Sequence, residues 1–220
     1  MYLPAQFEEN RSEVLRALMA EYPFATLVTQ GDEGLTANHL PLHLEPEIGA
    51  FGALQGHVAR ANPLWQKAAD SDVLVIFHGP QTYVTPSWYE TKREHGKAVP
   101  TWNYVVVHAR GRLRAIDDPF WLRQQLEMLV THHEEGFAEP WEIDEAPPDY
   151  IDKMLAAIVG IEIVISELKG KWKVSQNQPA ANRAGVVAGL REQGTEDALQ
   201  IAELVEGTLT LMAPSTTHGR

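Results

Sequence analysis

The sequence predicts an α+β fold built on an antiparallel sheet that closes as a barrel. Three observations carry that expectation. Short β-prone runs follow one another through turns, helical segments gather at the start, middle and end, and the strand–helix–strand rhythm of a parallel sheet is missing. No G-x-G-x-x-G follows a strand, and Gly170-Lys171 lacks the upstream glycine of a phosphate loop, so a Rossmann or P-loop nucleotide site is not expected.

The elements follow in order. Apolar Val14, Leu15, Leu18 and Met19 mark a helix over residues 10–21, capped by Asn10 or Ser12 and ended by Pro23. Residues 24–29 read as a strand and Gly31-Asp32-Glu33-Gly34 as a hairpin turn. A second strand over 35–44 carries the polar insertion Asn38-His39, and Pro41 assigns it to an edge or a bulge. A third strand spans 51–58. Asn62 then caps a helix with Pro63 at its first position. A β-branched strand over 72–78 is expected to break at Gly79-Pro80 and resume at 82–84. Residues 86–100 read as a long loop, functional or mobile by its length. A long strand covers 101–116, a helix capped by Asp117 or Asp118 covers 119–133, and another helix covers 149–157. The last strand spans 159–168, and helices follow over 180–193 and 196–205. The domain expectation is a barrel over 1–178, a helical extension over 179–206 and a flexible tail over 207–220.

Composition excludes several function classes. The 220 residues are 44% hydrophobic and 22% charged, enough to build a buried core. The absence of cysteine removes disulfides, thiolate metal sites, iron–sulfur clusters and cysteine nucleophiles together. Thirty acids against 18 bases, a net charge of −12, disfavour tight direct DNA binding, which rests on phosphate neutralisation. The basic groups Lys92–Arg93–Lys97, Arg110–Arg112–Arg114 and Lys169–Lys171–Lys173 read as solvated surface. The longest apolar run, 158–165, is interrupted by Gly160 and Glu162 and is too short for a bilayer. Without a basic, then apolar, leader after Met1-Tyr2-Leu3-Pro4, the expected setting is cytoplasmic.

Four clusters combine residue types that a core does not favour. They are Asn38-His39-Leu40-Pro41; His57 through Arg60 to Asn62-Pro63; Ser87-Trp88-Tyr89 with Lys92, continuing into Thr101-Trp102-Asn103; and Lys171-Trp172-Lys173 leading to Gln176. Together they supply cations and hydroxyls for a phosphate, aromatic walls for a flat ring and amides for a polar ring edge. A sugar or peptide site uses the same inventory. Simpler readings stand beside each: Asn62 as a helix cap only, His39 and His57 as hydrogen-bonded sheet residues, and Trp65, Trp121 and Trp141 as packing. His132 and His133 diverge by about 100° on a helix, and His39, His57, His78 and His108 show no ligand spacing. No metal is expected. Ser87 and Ser175 lack a nucleophile elbow.

At these clusters the chain resembles the PaiB-like family, FMN-binding negative transcriptional regulators of sporulation and protease production. The matching stretches are Met1-Tyr2-Leu3-Pro4 with Phe7, Pro23-Phe24-Ala25-Thr26-Leu27-Val28, Ala37-Asn38-His39-Leu40-Pro41, Gly56-His57-Val58-Ala59-Arg60-Ala61-Asn62-Pro63, Gly79-Pro80 with Tyr83, Pro86-Ser87-Trp88-Tyr89, Val99-Pro100-Thr101-Trp102-Asn103-Tyr104 with His108, Ile158-Val159-Gly160-Ile161-Glu162, and Gly170-Lys171-Trp172-Lys173 with Ser175-Gln176-Asn177. They run in order from residue 1 to about 205. The resemblance implies a split-barrel FMN-binding fold and a homodimer with the flavin at the subunit interface. It makes Asn38, His39, Pro41, His57, Arg60, Asn62, Ser87, Trp88, Tyr89, Lys92, Thr101, Trp102, Asn103, Lys173 and Gln176 the candidate cofactor-binding residues. A more distant similarity to pyridoxamine-phosphate-oxidase-type split barrels gives the phosphate to the group Asn38, His39, His57, Arg60 and Asn62, with Arg60 first. The same similarity has Trp102, Asn103, Lys173 and Gln176 come from the partner subunit. The paired Arg/Lys motif of those oxidases is replaced here by Asn-His-Leu-Pro.

The functional expectation is a flavin-dependent sensor or regulator. A flavin-dependent oxidoreductase is the alternative, since flavins carry redox chemistry without help from a catalytic side chain. A haem-binding split barrel is a third reading.

Overall fold

The computed structural model describes residues 1–31 and 33–211. Eight strands form one sheet: β1 (Glu8–Glu9), β2 (Phe24–Gly31), β3 (Gly34–Pro41), β4 (His43–Glu45), β5 (Ala53–Ala59), β6 (Asp72–Val84), β7 (Thr101–Ile116) and β8 (Ile158–Lys173). They hydrogen-bond in the order β3-β2-β6-β7-β8-β5-β4, with β1 added to β8. The helices are α1 (Ser12–Glu21), α2 (Leu64–Lys67), α3 (Glu90–His95), α4 (Pro119–Glu134), α5 (Pro148–Ala156), α6 (Ala180–Gln193) and α7 (Glu196–Leu211). Residues 212–220, which belong to the expected tail, lie outside the described residues, while 207–211 continue α7.

The chain divides into two compact units. One comprises Met1–Arg11, His78–Val106 and the segment from Gly170 onward; the other comprises Ser12–Phe77 and Val107–Lys169.

In the second unit the hairpin β2–β3 sets the pattern. The inward positions Ala25, Leu27 and Thr29 of β2 are buried and pair with Leu40, Asn38 and Thr36 of β3; this face is core at Leu40 and opens toward exposed Thr36. Phe24 and Leu35 fall on the other face, 67% and 74% exposed. β3 ends the sheet, as Pro41 leads one to expect. β5 pairs antiparallel with β4 on one side and β8 on the other.

Helix α4 starts where Asp118 accepts the Phe120 and Trp121 amides at 2.8 and 3.3 Å, with Pro119 in the first turn. Its Leu122 packs with Ile143, Ile151 and Leu155 to join α4 and α5. Trp121 lies directly over Gly160 of β8. An added Cβ there would fall 2.8 Å from Trp121 Cε3 and 3.1 Å from the Ile116 carbonyl. The interruption of the apolar run at Gly160 is therefore a packing requirement.

In the first unit α6 and α7 form an antiparallel pair joined at Gly194, whose φ of 68° only glycine adopts easily. Val186, Leu190, Ile201 and Val205 are fully buried. Buried Arg183 donates to the Thr208 carbonyl and hydroxyl at 2.7 and 2.9 Å, placing its charge at the negative end of α7.

The strand expected over 35–44 splits at Leu42 into β3 and β4, and the last strand runs on past 168 to Lys173. Two further expectations change. β6 runs unbroken through Gly79-Pro80 from Asp72 to Val84. The 86–100 stretch is not an open loop: it holds a 3-10 turn at Pro86–Trp88 and then α3. Trp88 explains the second change, because it seats on α6 at Gly185 and Gly189, where a Cβ would meet its backbone and its indole. Asn182 completes the attachment, accepting the Thr91 amide at 3.1 Å and donating to the Thr91 hydroxyl at 2.9 Å. A tryptophan and an asparagine bonded to distant residues convert a turn-rich sequence into a docked segment.

Gly160→Ala is expected to cost about 1–3 kcal/mol through overpacking against Trp121. Urea unfolding measures it, and an unchanged midpoint would contradict the close contact.

Candidate functional site

The candidate residues separate into two groups, one on each unit. In the second unit Asn62 donates to the Asn38 side chain at 2.9 Å and accepts the Leu64 amide at 3.0 Å. The cap role of Asn62 and its link to Asn38 thus coexist in one side chain. The pair lines a cleft of about 690 Å³, with Thr29, Thr36, Leu64 and Lys67 among its walls. Lys67 pairs with Glu33 at the exposed rim, 3.1 Å apart.

His39 follows Asn38 and therefore projects to the opposite face of the strand. Its Nδ1 lies 3.1 Å from the Thr26 hydroxyl and its ring stacks on Phe24. Pro41 closes β3 opposite Phe24, and its carbonyl approaches Gly56. His57 turns elsewhere again, with Nδ1 3.0 Å from Gln125 Oε1 on α4.

Arg60, the first candidate for the phosphate, is engaged within the fold. Its guanidinium makes a bidentate pair with Asp117 at 2.9 and 2.6 Å and donates to the carbonyls of Ala156 and Ile158 at 2.7 and 2.9 Å. Four of its five N–H groups are thereby occupied. The hydrogen bond from Arg60 holds the Asp117 carboxyl below its ordinary range. The residue ties the end of β5 to the C-terminus of α5, where a cation is favoured.

In the first unit Lys173 donates to the Thr101 hydroxyl and to the Trp102 carbonyl, the latter at 2.6 Å. Trp102 remains 54% exposed and meets Tyr83, 45% exposed, edge to face at 6.1 Å between ring centres. Burial, and then the neighbouring Lys171, push the Lys173 ammonium below its ordinary value. Lys171 is buried between the rings of Tyr2 and Tyr104, 5.8 and 5.3 Å from their centres, and donates to the Tyr2 carbonyl at 3.1 Å.

Other candidates here are occupied by the fold. Asn103 is buried against Ser175, whose φ of 61° lies in the left-handed region. Gln176 accepts the Val174 amide at 2.8 Å and donates to the Trp172 carbonyl at 2.5 Å, so its amide shapes the turn after β8. Trp88 packs on α6 at Gly185 and Gly189. Tyr89 is 3% exposed, its hydroxyl lacks a partner, and burial raises its pKa. Ser87 accepts from Lys92 at 3.1 Å on the exposed side of the same segment.

Sequence reasoning counted Tyr83 in the resemblance without pairing it with Trp102, and missed Lys67 in the cleft and Gln125. The signal for Gln125 was available: it lies four residues after Trp121, a polar residue on the inward stripe of α4. Among the described residues no group of histidine and carboxylate side chains is placed to hold a metal ion, and no helix is long and apolar enough to cross a membrane.

Residues 1–167 match the family described as "Putative FMN-binding domain". The chain belongs to this family. It is 32% identical to the Bacillus subtilis "Protease synthase and sporulation protein PAI 2", with 95% of this chain and 98% of that one covered. It is 33% identical to an uncharacterised protein of Emericella nidulans, covering 93% and 96% of the two chains. Among solved structures, the FAD and heme binding protein from Mycobacterium smegmatis superposes with a TM-score of 0.56 at 18% identity, covering 76% of this chain and 73% of the other. The flavocytochrome Anf3 from Azotobacter vinelandii does so with 0.54 at 15% identity, covering 76% and 69%. The fold is the α+β split barrel that the resemblance implies.

The histidines at the α4–β4 junction yield a pH prediction. Burial, and then His132 with its ring centre 6.5 Å away, hold the His43 imidazole below its ordinary value, against the opposing pull of Glu45. A base with a depressed folded pKa contributes fully above its unfolded pKa of about 6.5 and loses that contribution as pH falls through the folded value. Stability measured by urea unfolding should therefore decline on acidification below neutrality, and His43→Gln should flatten that decline. An identical pH profile in the variant would refute the assignment.

Proposed function

We propose that this protein binds FMN, acts as a flavin-dependent sensor or regulator, and does so as a homodimer. The observation that carries the ligand reading is the aromatic–cationic face of the first unit, where exposed Trp102 and Tyr83 stand beside Lys173. Large aromatic rings left in water beside a half-buried ammonium make poor packing but a suitable surface for a flat, anionic ligand. Lys173 uses two of its three donors on Thr101 and Trp102, which leaves one for a phosphate oxygen. Ser87 and Lys92 add a hydroxyl and a second cation on the same unit. When bound, the flavin supplies the electron-transfer chemistry itself.

The name of the B. subtilis relative, a protease synthase and sporulation protein, supports a regulatory setting. A net charge of −12 argues that the output does not run through direct DNA contact. The homodimer is supported by the edge hairpin β2–β3, whose outer face leaves Phe24 and Leu35 in water beside an unpaired strand edge.

The test is an absorbance spectrum of the purified protein before and after loading with FMN and desalting. A retained flavin band is expected, and a protein that stays colourless after loading would sink the ligand reading. Lys173→Ala should lose a charge-assisted hydrogen bond of about 1.5–3 kcal/mol, which weakens FMN binding roughly ten- to a hundredfold. Unchanged affinity would move the phosphate elsewhere. Sedimentation should give about twice the 24.5 kDa chain mass, and a monomer would remove the dimer.

A further inference from the structure

On the second unit, His57, a candidate residue of the sequence analysis, makes a contact with Gln125 that packing does not require. Gln125 is 1% exposed, and its Nε2 is among the few buried side-chain atoms without a hydrogen-bond partner. A buried amide satisfied on one side only is costly, and an apolar residue of similar size would remove the cost. Its one side-chain bond among the described residues, with Oε1 as acceptor and His57 Nδ1 3.0 Å away, is therefore what the residue contributes.

The surroundings fix that contact. Gln125 lies one helical turn beyond Trp121, whose ring covers Gly160, and Gly160 is the cross-strand partner of His57. Two residues before His57, on the same face of β5, Gln55 donates to the buried carboxylate of Glu162 at 2.9 Å, and Arg114 holds that carboxylate from its other oxygen at 2.7 Å. The carboxylate is thus engaged on both oxygens. The imidazole is half-buried, and its Nε2 has no protein partner among the described residues.

We propose that Gln125 is a positioning residue that holds the proton of His57 on Nδ1, so that Nε2 presents its lone pair as an acceptor site for the hydroxyl or N–H of a small ligand. The logic is that of a ligand-directed histidine: the bond at one ring nitrogen selects the tautomer and so assigns the chemistry of the other. A carbonyl oxygen accepts only, so Gln125 Oε1 requires a hydrogen on Nδ1, and a neutral ring then carries none on Nε2.

The experiment is nitrogen-15 NMR of the histidine rings in the full chain, above pH 7.5, for the wild type, Gln125→Glu and Gln125→Leu. The wild type should show His57 with a protonated Nδ1 and an unprotonated Nε2. Gln125→Glu keeps an acceptor at this position and should preserve that pattern, whereas Gln125→Leu should shift the ring toward the opposite tautomer. Diethyl pyrocarbonate, which reacts with an accessible ring lone pair, serves as the probe of Nε2. His57 should be modified at Nε2 in the wild type and Gln125→Glu, and several-fold more slowly there in Gln125→Leu. A proton on Nε2 in the wild type would overturn the proposal, as would a tautomer and reactivity unchanged in Gln125→Leu. A collapsed Gln125→Leu variant leaves the first of these outcomes decisive, because it is read on the wild type alone.

Discussion

The second unit depends on one guanidinium. Arg60, at the end of β5, closes on Asp117 just before α4, on the last carbonyl of α5 and on the first residue of β8. A planar fork with five donors satisfies carboxylate and backbone groups that a lysine cannot reach together. The backbone follows the same path, with the Arg60 amide donating to the Ala157 carbonyl at 2.8 Å. This fixes the corner where two helices return to the sheet, and hence where Trp121 and Gln125 meet β8 and β5. Exposed ion pairs contribute little individually. What Arg60 adds is that orphan carbonyls at a helix end find a donor.

In the first unit the corresponding constraint is the turn that follows β8. Ser175 takes a left-handed conformation supported by Asn103, while Gln176 bonds back to the Val174 amide and the Trp172 carbonyl that precede it. These polar groups are consumed in shaping the chain, and the effect is selective. Lys173 and Trp102 stay at the surface with donor capacity and ring area to spare, whereas Asn103 is buried against Ser175 and Gln176 is bonded to its own turn. Residues adjacent in a motif divide into those that build the surface and those that form it.

Much of the fold was legible. The strand over 101–116 and the helix over 180–193 agree with the structure residue for residue, because both lie between clear boundary signals: Pro100 and Asp117-Asp118 around the strand, Pro179 and Gly194 around the helix. The Asp118 cap, Pro119 and the edge character of Pro41 follow from local backbone chemistry. The reading failed where a distant partner overrides local preference. Gly79-Pro80 reads as a break and lies within β6. The Pro-rich 86–100 stretch reads as a loop and is docked by Trp88 on the glycines of α6.

The candidate site was legible as an inventory and not as an arrangement. Sequence alone determined the fold class, the exclusion of cysteine chemistry, and the four polar–aromatic clusters, since periodicity, composition and motif order are properties of the chain. Tertiary structure decided which members are available: Arg60 is spent on Asp117 and helix carbonyls, Trp88 on packing, Gln176 on its own turn, and His57 is claimed at one nitrogen by Gln125. The physical reason is that a hydrogen-bonding group has a fixed capacity. Whether that capacity is already filled depends on residues tens of positions away, which only the folded chain brings within bonding distance.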